Sequence, residues 1–212
     1  KNGELLYRST VFGGYIGLLT GVRKGAMSIS VDTRFDENHD KYLMEYLKNP
    51  TASMQWLSLT TRQAIEDYSS YSDAISFMKQ TAFIGPCYVI IGGVNKNEGS
   101  VLSIGPNMTL WDQWTIPEAQ PQNNTAQPPF YVLETNYDHW EPPPPFDDRR
   151  YPAEMCMDEI GSKGMGWYTL YNVLNGIPNR NRLTTYTTLM DTESGDLVAW
   201  KQYCDVTECI PW

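Results

Sequence analysis

The sequence predicts a layered α+β fold, and three observations carry that prediction. Short apolar stretches bounded by turn residues alternate in blocks with segments of helical periodicity. The blocks follow one another as strands, helices, strands, helices and a final hairpin. Most of the strands look antiparallel, which puts sheets in the middle and helices outside. No internal repeat breaks the pattern, so residues 1–212 read as a single domain.

Taken in order, residues 5–35 hold two expected strands around a Gly-rich bend. Alternation is clearest in AMSISVDTRF, where Met27, Ile29 and Val31 share one face. Residues 37–49 read as a helix with Tyr42, Leu43, Tyr46 and Leu47 as its apolar stripe, ended by Asn49-Pro50. Two further helices are expected from Gln55 to Tyr68 and from Ser72 to Gln80. Then CYVIIGGVN, GSVLSIG, LWDQWTI and PFYVLETNYDHW give four strand candidates. The polar stretch PEAQPQNNTAQPP between the last two is an exposed loop. Helices are expected over 151–163 and 167–176, and LTTYTTLMD with DLVAWKQY forms a hairpin around Thr192–Gly195.

Composition excludes some functions. A hydrophobic content of 41% and a charged content of 19% are those of a globular protein. The net charge of -9 argues against a nucleic-acid partner, and the basic pairs Arg23-Lys24 and Arg149-Arg150 do not grow into a patch. No apolar run reaches the roughly 18 residues of a membrane span. The chain starts at Lys1 without a Met or a signal-peptide pattern, which reads as a processing or truncation point. Asn107 and Asn123 head N-x-[ST] sequons, glycan sites if the protein is secretory.

Cys204 and Cys209 bracket four residues near the carboxyl end, a loop that a disulfide fits and that favours an oxidising compartment. Metal ligation is the rival, with only His39 and His139 to help. Cys87 sits in an apolar strand as a plain buried thiol. There is no G-x-S-x-G elbow, P-loop or G-x-G-x-x-G, and no cofactor is expected. Carboxylate-pair chemistry stays open through Asp138, Asp147 and Asp148, although Asp beside Arg more often forms an ion pair.

The stretch LETNYDHWEPPPPFDDRRYP holds an Asn and an Arg on opposite sides of four prolines, a stiff spacer. It resembles the β-subunits of the acid ceramidase and N-acylethanolamine acid amidase family. The resemblance runs over nearly the whole chain. STVFGGYIGLLTGVRKGAMSISVDTRF, FIGPCYVIIGG and EGSVLSI follow in the family order; ETNYDHW, the DDRR segment and LTTYTTLMD are the most specific matches. The terminal CIPW is similar to the ceramidases.

That resemblance implies an N-terminal-nucleophile hydrolase with an αββα sandwich. In the family a precursor cuts itself, and the new β-subunit begins with a cysteine whose thiol attacks the amide and whose α-amino group is the base. The resemblance puts that start upstream of Lys1, so this chain, taken alone, is expected to be inactive. Asn136 matches the family's oxyanion-hole amide and Arg149 its active-site arginine; the bland alternative makes them strand-end and loop anchors. The proline run would space the two so that both reach one site. Asp147 and Asp148 read as supporting partners of Arg149 or as surface charges, with Asp148 kept as the supporting residue. Thr33 stands where ceramidases carry a glutamate, leaving only its backbone N–H to donate to an oxyanion. Arg34 follows it as a supporting residue, or as a strand-end ion pair with Asp32 or Asp36.

Cys156 matches the family's link between subunits, with a buried helical thiol as the alternative. The implied partners are the α-subunit, the upstream segment with the nucleophile, ceramide or another N-acyl lipid and, by analogy, a saposin-type activator at an anionic membrane. FGGYIGLLTG and WDQWTI offer apolar surface for such a lipid, or core. The expected setting is the lysosome, reached through the secretory pathway. Fatty-acid ethanolamide hydrolysis is the rival activity. A non-catalytic lipid-binding paralogue, favoured by Thr33, is the rival of another class.

Overall fold

The computed structural model describes residues 3–36, 38–50, 54–105, 110–118, 129–205 and 209. Its centre is a six-stranded antiparallel sheet of β1 (Arg8–Thr10), β2 (Thr20–Arg23), β3 (Met27–Thr33), β6 (Cys87–Gly92), β7 (Gly99–Ile104) and β8 (Leu110–Thr115), neighbouring in that order. β3 pairs with β6 from Ser28↔Gly92 to Thr33↔Cys87, which places Asp32 opposite Tyr88. Residues 5–35 thus hold three strands rather than two, the shortest being too brief to leave a period of its own.

Strand alternation gives the sheet two unlike faces. Met27, Ile29 and Val31 point to the face covered by α2 (Leu57–Asp67) and α3 (Tyr71–Gln80). There they join Ala64, Ile65, Met78, Val89 and Leu102 in the main core. Ser70 starts α3 by accepting the Asp73 backbone N–H at 3.2 Å, satisfying one of the orphan donors of a helix start. A short parallel pair, β4 (Met54–Gln55) with β5 (Ala82–Phe83), closes the ends of this helix pair; two-residue strands carry no legible period. α1 (His39–Lys48) keeps Tyr42, Leu43 and Tyr46 half-buried but leaves Met44 and Leu47 exposed.

The opposite face carries the hairpin β9 (Tyr186–Met190) and β10 (Leu197–Lys201), paired from Leu197↔Met190 to Lys201↔Tyr186. α5 (Trp167–Asn175) packs on β9, and α4 (Arg150–Gly164) packs on α5. The layers run helices, sheet, hairpin, helices, which is the αββα order, with two strands of the second sheet among the described residues. α4 is bent at Gly161, whose φ of 64° is open to glycine. The hairpin turn is tied to the sheet. Thr192 O accepts from Gly25 N at 2.8 Å, Thr192 Oγ1 donates to Gly93 O at 2.7 Å, and Arg8 Nη1 donates to Gly195 O at 2.7 Å. Gly195 has a φ of +75°, and a Cβ there would lie 2.6 Å from that of Lys24, so the turn requires glycine on both counts.

One expected strand is absent. Residues 129–140 run extended to Thr135 and then turn, without joining a ladder among the described residues. An apolar run becomes a strand only where an edge is free beside it. Here Phe130, Tyr131 and Leu133 instead bury against Ala153, Met157 and Val173, forming a second, smaller core under α4 and α5.

Candidate active site

A cavity of about 730 Å³ opens between the hairpin side of the sheet, the extended segment 131–136 and the start of α4. Asp32, Thr33, Glu134, Asn136 and Arg149 line one end of it; Ile90, Leu133, Leu170, Val173 and Met190 make the rest largely apolar. Such a cleft, greasy with a few convergent polar groups, suits a ligand with a long apolar part and a polar group at one end.

The residues on either side of the prolines meet. Between them the chain turns back, with Asp147 N donating to Pro144 O at 2.9 Å. Arg149 Nη2 then donates to Asn136 Oδ1 at 2.8 Å, and Asn136 Nδ2 donates to the Thr33 carbonyl at 2.9 Å. The arginine accepts nothing, so the Asn136 oxygen must face it and the amide nitrogen must face Thr33. One N–H of that amide keeps no partner among the described residues, and the amide lines the cavity. A side-chain amide locked at both ends with one donor left over is suited to a developing oxyanion.

Arg149 is held in turn by Asp147, through Nε to Oδ1 at 2.6 Å and Nη2 to Oδ2 at 2.8 Å, a two-pronged charge-assisted pair. Burial works against the Arg149 charge, but Asp147 outweighs it and the guanidinium stays protonated more firmly than usual. The partner is therefore Asp147 and not Asp148. Asp148 Oδ1 accepts the Tyr151 backbone N–H at 3.1 Å, at the start of α4.

Thr33 enters through its carbonyl, while its residue is exposed. The fork of Arg34 meets Asp138 rather than Asp32 or Asp36, Nε to Oδ1 at 2.7 Å and Nη2 to Oδ2 at 2.6 Å. Tyr88 Oη donates to the same Asp138 Oδ1 at 2.6 Å. Burial alone would raise the Asp138 carboxyl, but Arg34 and Tyr88 hold it below the usual range. Asp138 lies 104 residues from Arg34, a separation no local pattern reveals.

Arg150, expected only as the second member of a basic pair, ties the loop together. Its guanidinium donates to the carbonyls of Tyr137 at 2.7 Å, Asp138 at 2.9 Å, Glu141 at 2.7 Å and His139 at 3.4 Å, and sits over the Tyr137 ring at 4.5 Å. The loop carrying Asn136 is thereby wrapped around a cation next in sequence to Arg149.

Two further acids were not foreseen. Burial pushes the Asp32 carboxyl up to about 6, against the pull of Arg149. Burial likewise pushes Glu134 up to about 8, although Thr135 N and Arg150 favour its charge. The alternation in β3 carried the signal for Asp32: with Met27, Ile29 and Val31 facing the helices, Ser30, Asp32 and Arg34 face the cavity side. Glu134 had no such signal, because its segment is not a strand.

Cys204 and Cys209 form a disulfide with a Cα–Cα distance of 5.7 Å, which removes the metal reading of that pair. Cys87 is buried and burial pushes its thiol up to about 12, out of reach of thiolate chemistry at ordinary pH. Cys156 is exposed on α4 rather than buried. Asn107 and Asn123 lie outside the described residues. No described helix is long and apolar enough to cross a membrane.

Comparison with known proteins gives the class first. Over 95% of this chain and 84% of the other, the structure superposes with a TM-score of 0.77 and 28% identity on a Caenorhabditis elegans N-acylethanolamine-hydrolyzing acid amidase ortholog. A conjugated bile acid hydrolase variant from Clostridium perfringens shares the fold at a TM-score of 0.53 and 11% identity, covering 91% of this chain and 72% of that one. The fold is that of the N-terminal-nucleophile hydrolases.

The sequence narrows this. Acid ceramidases of Homo sapiens and Pan troglodytes are each 32% identical to the chain over 213 aligned residues, all of this chain and 51% of theirs. The Mus musculus acid ceramidase is also 32% identical, with 52% of its length covered. Over its whole length the chain is thus similar in sequence to acid ceramidases, and over 95% of it in structure to the acid amidase ortholog. It spans about half the length of the curated relatives it matches. No family model matches it.

Proposed function

We propose that this chain is part of an amidohydrolase that cleaves the N-acyl amide of ceramide to sphingosine and a fatty acid. The observation that carries the proposal is the Asn136 amide, locked between the Thr33 carbonyl and Arg149 at the mouth of an apolar cavity. In this reading a cysteine thiol from a preceding segment of the longer protein attacks the carbonyl. The C–S bond forms first, leaving a tetrahedral oxyanion; its collapse restores the carbonyl and breaks the C–N bond, and the amine leaves with the proton taken from the thiol. Water then cleaves the thioester, releasing the acid and restoring the thiol. The free N–H of Asn136 stabilises the oxyanion of both steps, and Arg149 keeps that amide in register. The chain's coverage of only about half of its ceramidase relatives supports a nucleophile supplied from elsewhere in the protein.

The exposed thiol of Cys156 is the site for a disulfide to an α-subunit, and the setting is an acidic, lysosome-like compartment. An activator of saposin type and an anionic membrane surface are partners by analogy with the family. Hydrolysis of N-acylethanolamines is the second reading, favoured by the structural likeness to the nematode acid amidase.

The test is hydrolysis of fluorogenic N-acylsphingosine and N-acylethanolamine by the full-length processed protein in acidic buffer. Turnover that Asn136→Ala lowers by about 10²–10³-fold supports the site. No turnover of either substrate, or turnover indifferent to Asn136→Ala, overturns it.

A further inference from the structure

The cavity holds a carboxyl that none of the assigned roles uses. Asp32 stands on the hairpin side of β3, opposite Tyr88, and lines the cavity together with Asn136 and Arg149. It has no hydrogen bond or ion pair among the described residues. The surrounding cations are committed elsewhere. Arg149 is matched by Asp147, Arg34 by Asp138, and Arg150 by four backbone carbonyls.

The other groups facing Asp32 add no positive charge. From β6 comes the Tyr88 hydroxyl, already donated to Asp138. From the extended segment comes Glu134, whose Oε1 accepts from Thr135 N at 2.8 Å and whose Oε2 is buried without a partner. From β9 comes Tyr186, its hydroxyl bonded to Thr20 Oγ1 at 3.2 Å. Two acids, Asp32 and Glu134, therefore line a largely apolar cavity whose nearest cation, Arg149, is already paired with Asp147, and a carboxyl so placed keeps its proton.

We propose that Asp32 works as a neutral carboxylic acid, a positioning residue whose O–H donates into the cavity beside Asn136 and Arg149, so that the site is complete only while Asp32 is protonated. A carboxyl kept neutral by its surroundings becomes a hydrogen-bond donor, which an ionised one cannot be. Ionising Asp32 replaces that donor with a negative charge at the place where the reaction builds an oxyanion. The upward shifts of Asp32 to about 6 and Glu134 to about 8 agree with this assignment. The consequence is an enzyme restricted to acid, with the restriction located in one side chain.

This inference rests on the amidase reading and is tested on the same full-length processed protein. The measurement is kcat/KM for a fluorogenic N-acyl amide across the pH range that brackets the Asp32 shift from 3.8 to about 6. For the wild type, activity falls about tenfold per pH unit above the ionisation of Asp32. Asp32→Asn, which mimics the protonated acid, retains activity in acid and moves that falling limb upward by a pH unit or more. Asp32→Leu, with no donor, loses about tenfold or more in acid while its near-ultraviolet circular dichroism is unchanged. A falling limb that Asp32→Asn leaves in place overturns the proposal, as does an Asp32→Asn variant no more active in acid than Asp32→Leu. Infrared spectroscopy gives an answer independent of turnover. A protonated carboxyl band in mildly acidic buffer that vanishes in Asp32→Asn supports the neutral acid, and its absence from the wild type overturns it. Failure to hydrolyse any N-acyl amide would instead remove the amidase reading, with the infrared result still deciding the state of Asp32.

Discussion

The two faces of β3 belong to one strand and behave as different materials. On the helix face Met27 and Ile29 are fully buried in a mainly apolar core, where buried hydroxyls such as those of Thr61 and Ser100 are hydrogen-bonded. On the cavity face Ser30 and Asp32 meet a hairpin and a loop that leave space between them. The helix face supplies stability through close packing. The cavity face gives up packing to hold charges in fixed positions, and it does so with ion pairs that span the sequence, such as Arg34 with Asp138. Function sits where the sheet is left incompletely covered.

That contrast can be broken or sharpened by substitution. The largest effect is expected at Arg150. Replacing it with Met leaves four carbonyls of the 137–141 loop without a donor and costs about 3–5 kcal/mol, read as a lower denaturant midpoint together with lost activity. Arg149→Met costs stability of the same order, about 3–5 kcal/mol, because it leaves Asp147 buried without its partner. It also frees Asn136 to rotate, so in the fraction that still folds activity falls by about 10²-fold or more. Folded Arg149→Met protein with undiminished activity would erase the distinction between a tie and a site residue.

Next comes the core. Ile29→Ala opens a cavity under α2 and α3 and costs about 2–5 kcal/mol. Ser30→Ala, on the facing side of the next residue, stays within about 0.5 kcal/mol. Similar costs at both positions would show that the two faces are packed alike.

The smallest effect concerns pH. Asp32, Glu134 and Glu154 all hold their protons more tightly folded than unfolded, with values pushed up to about 6, about 8 and about 7 by burial. A raised carboxyl value means that the folded state binds more protons. Stability is therefore greatest in acid, declines once the unfolded carboxyls ionise, and keeps declining until each folded group has ionised too. Thermal melts from acid to mildly alkaline buffer are expected to fall by several degrees, and Asp32→Asn is expected to flatten the lower part of that fall. A melting temperature that rises across this window would contradict the burial of these acids.

Much of this architecture was legible in the sequence, because strand alternation and helical stripes are local. The core face of β3, the three helices from α1 to α3 and the terminal hairpin follow from periods of two and about 3.6. The site was legible only through resemblance, which singled out Asn136 and Arg149. The structure brings those two side chains and the Thr33 carbonyl together. What stayed hidden depends on contacts between distant residues. Asp147 rather than Asp148 meets Arg149 because of the turn after the prolines, and Arg34 finds Asp138 across two elements. The segment 129–140 has the composition of a strand but lacks a neighbouring edge among the described residues, and composition does not report its surroundings.

The fixed hairpin turn has a mechanical consequence. With Thr192 and Gly195 bonded to the sheet through Gly25, Gly93 and Arg8, that end of β9 and β10 cannot lift away without losing several hydrogen bonds at once. Any widening of the cleft must therefore pivot about the turn and open at the other end, near Tyr186 and Lys201. There the bond between the Tyr186 hydroxyl and Thr20 Oγ1 is the contact that such an opening would break.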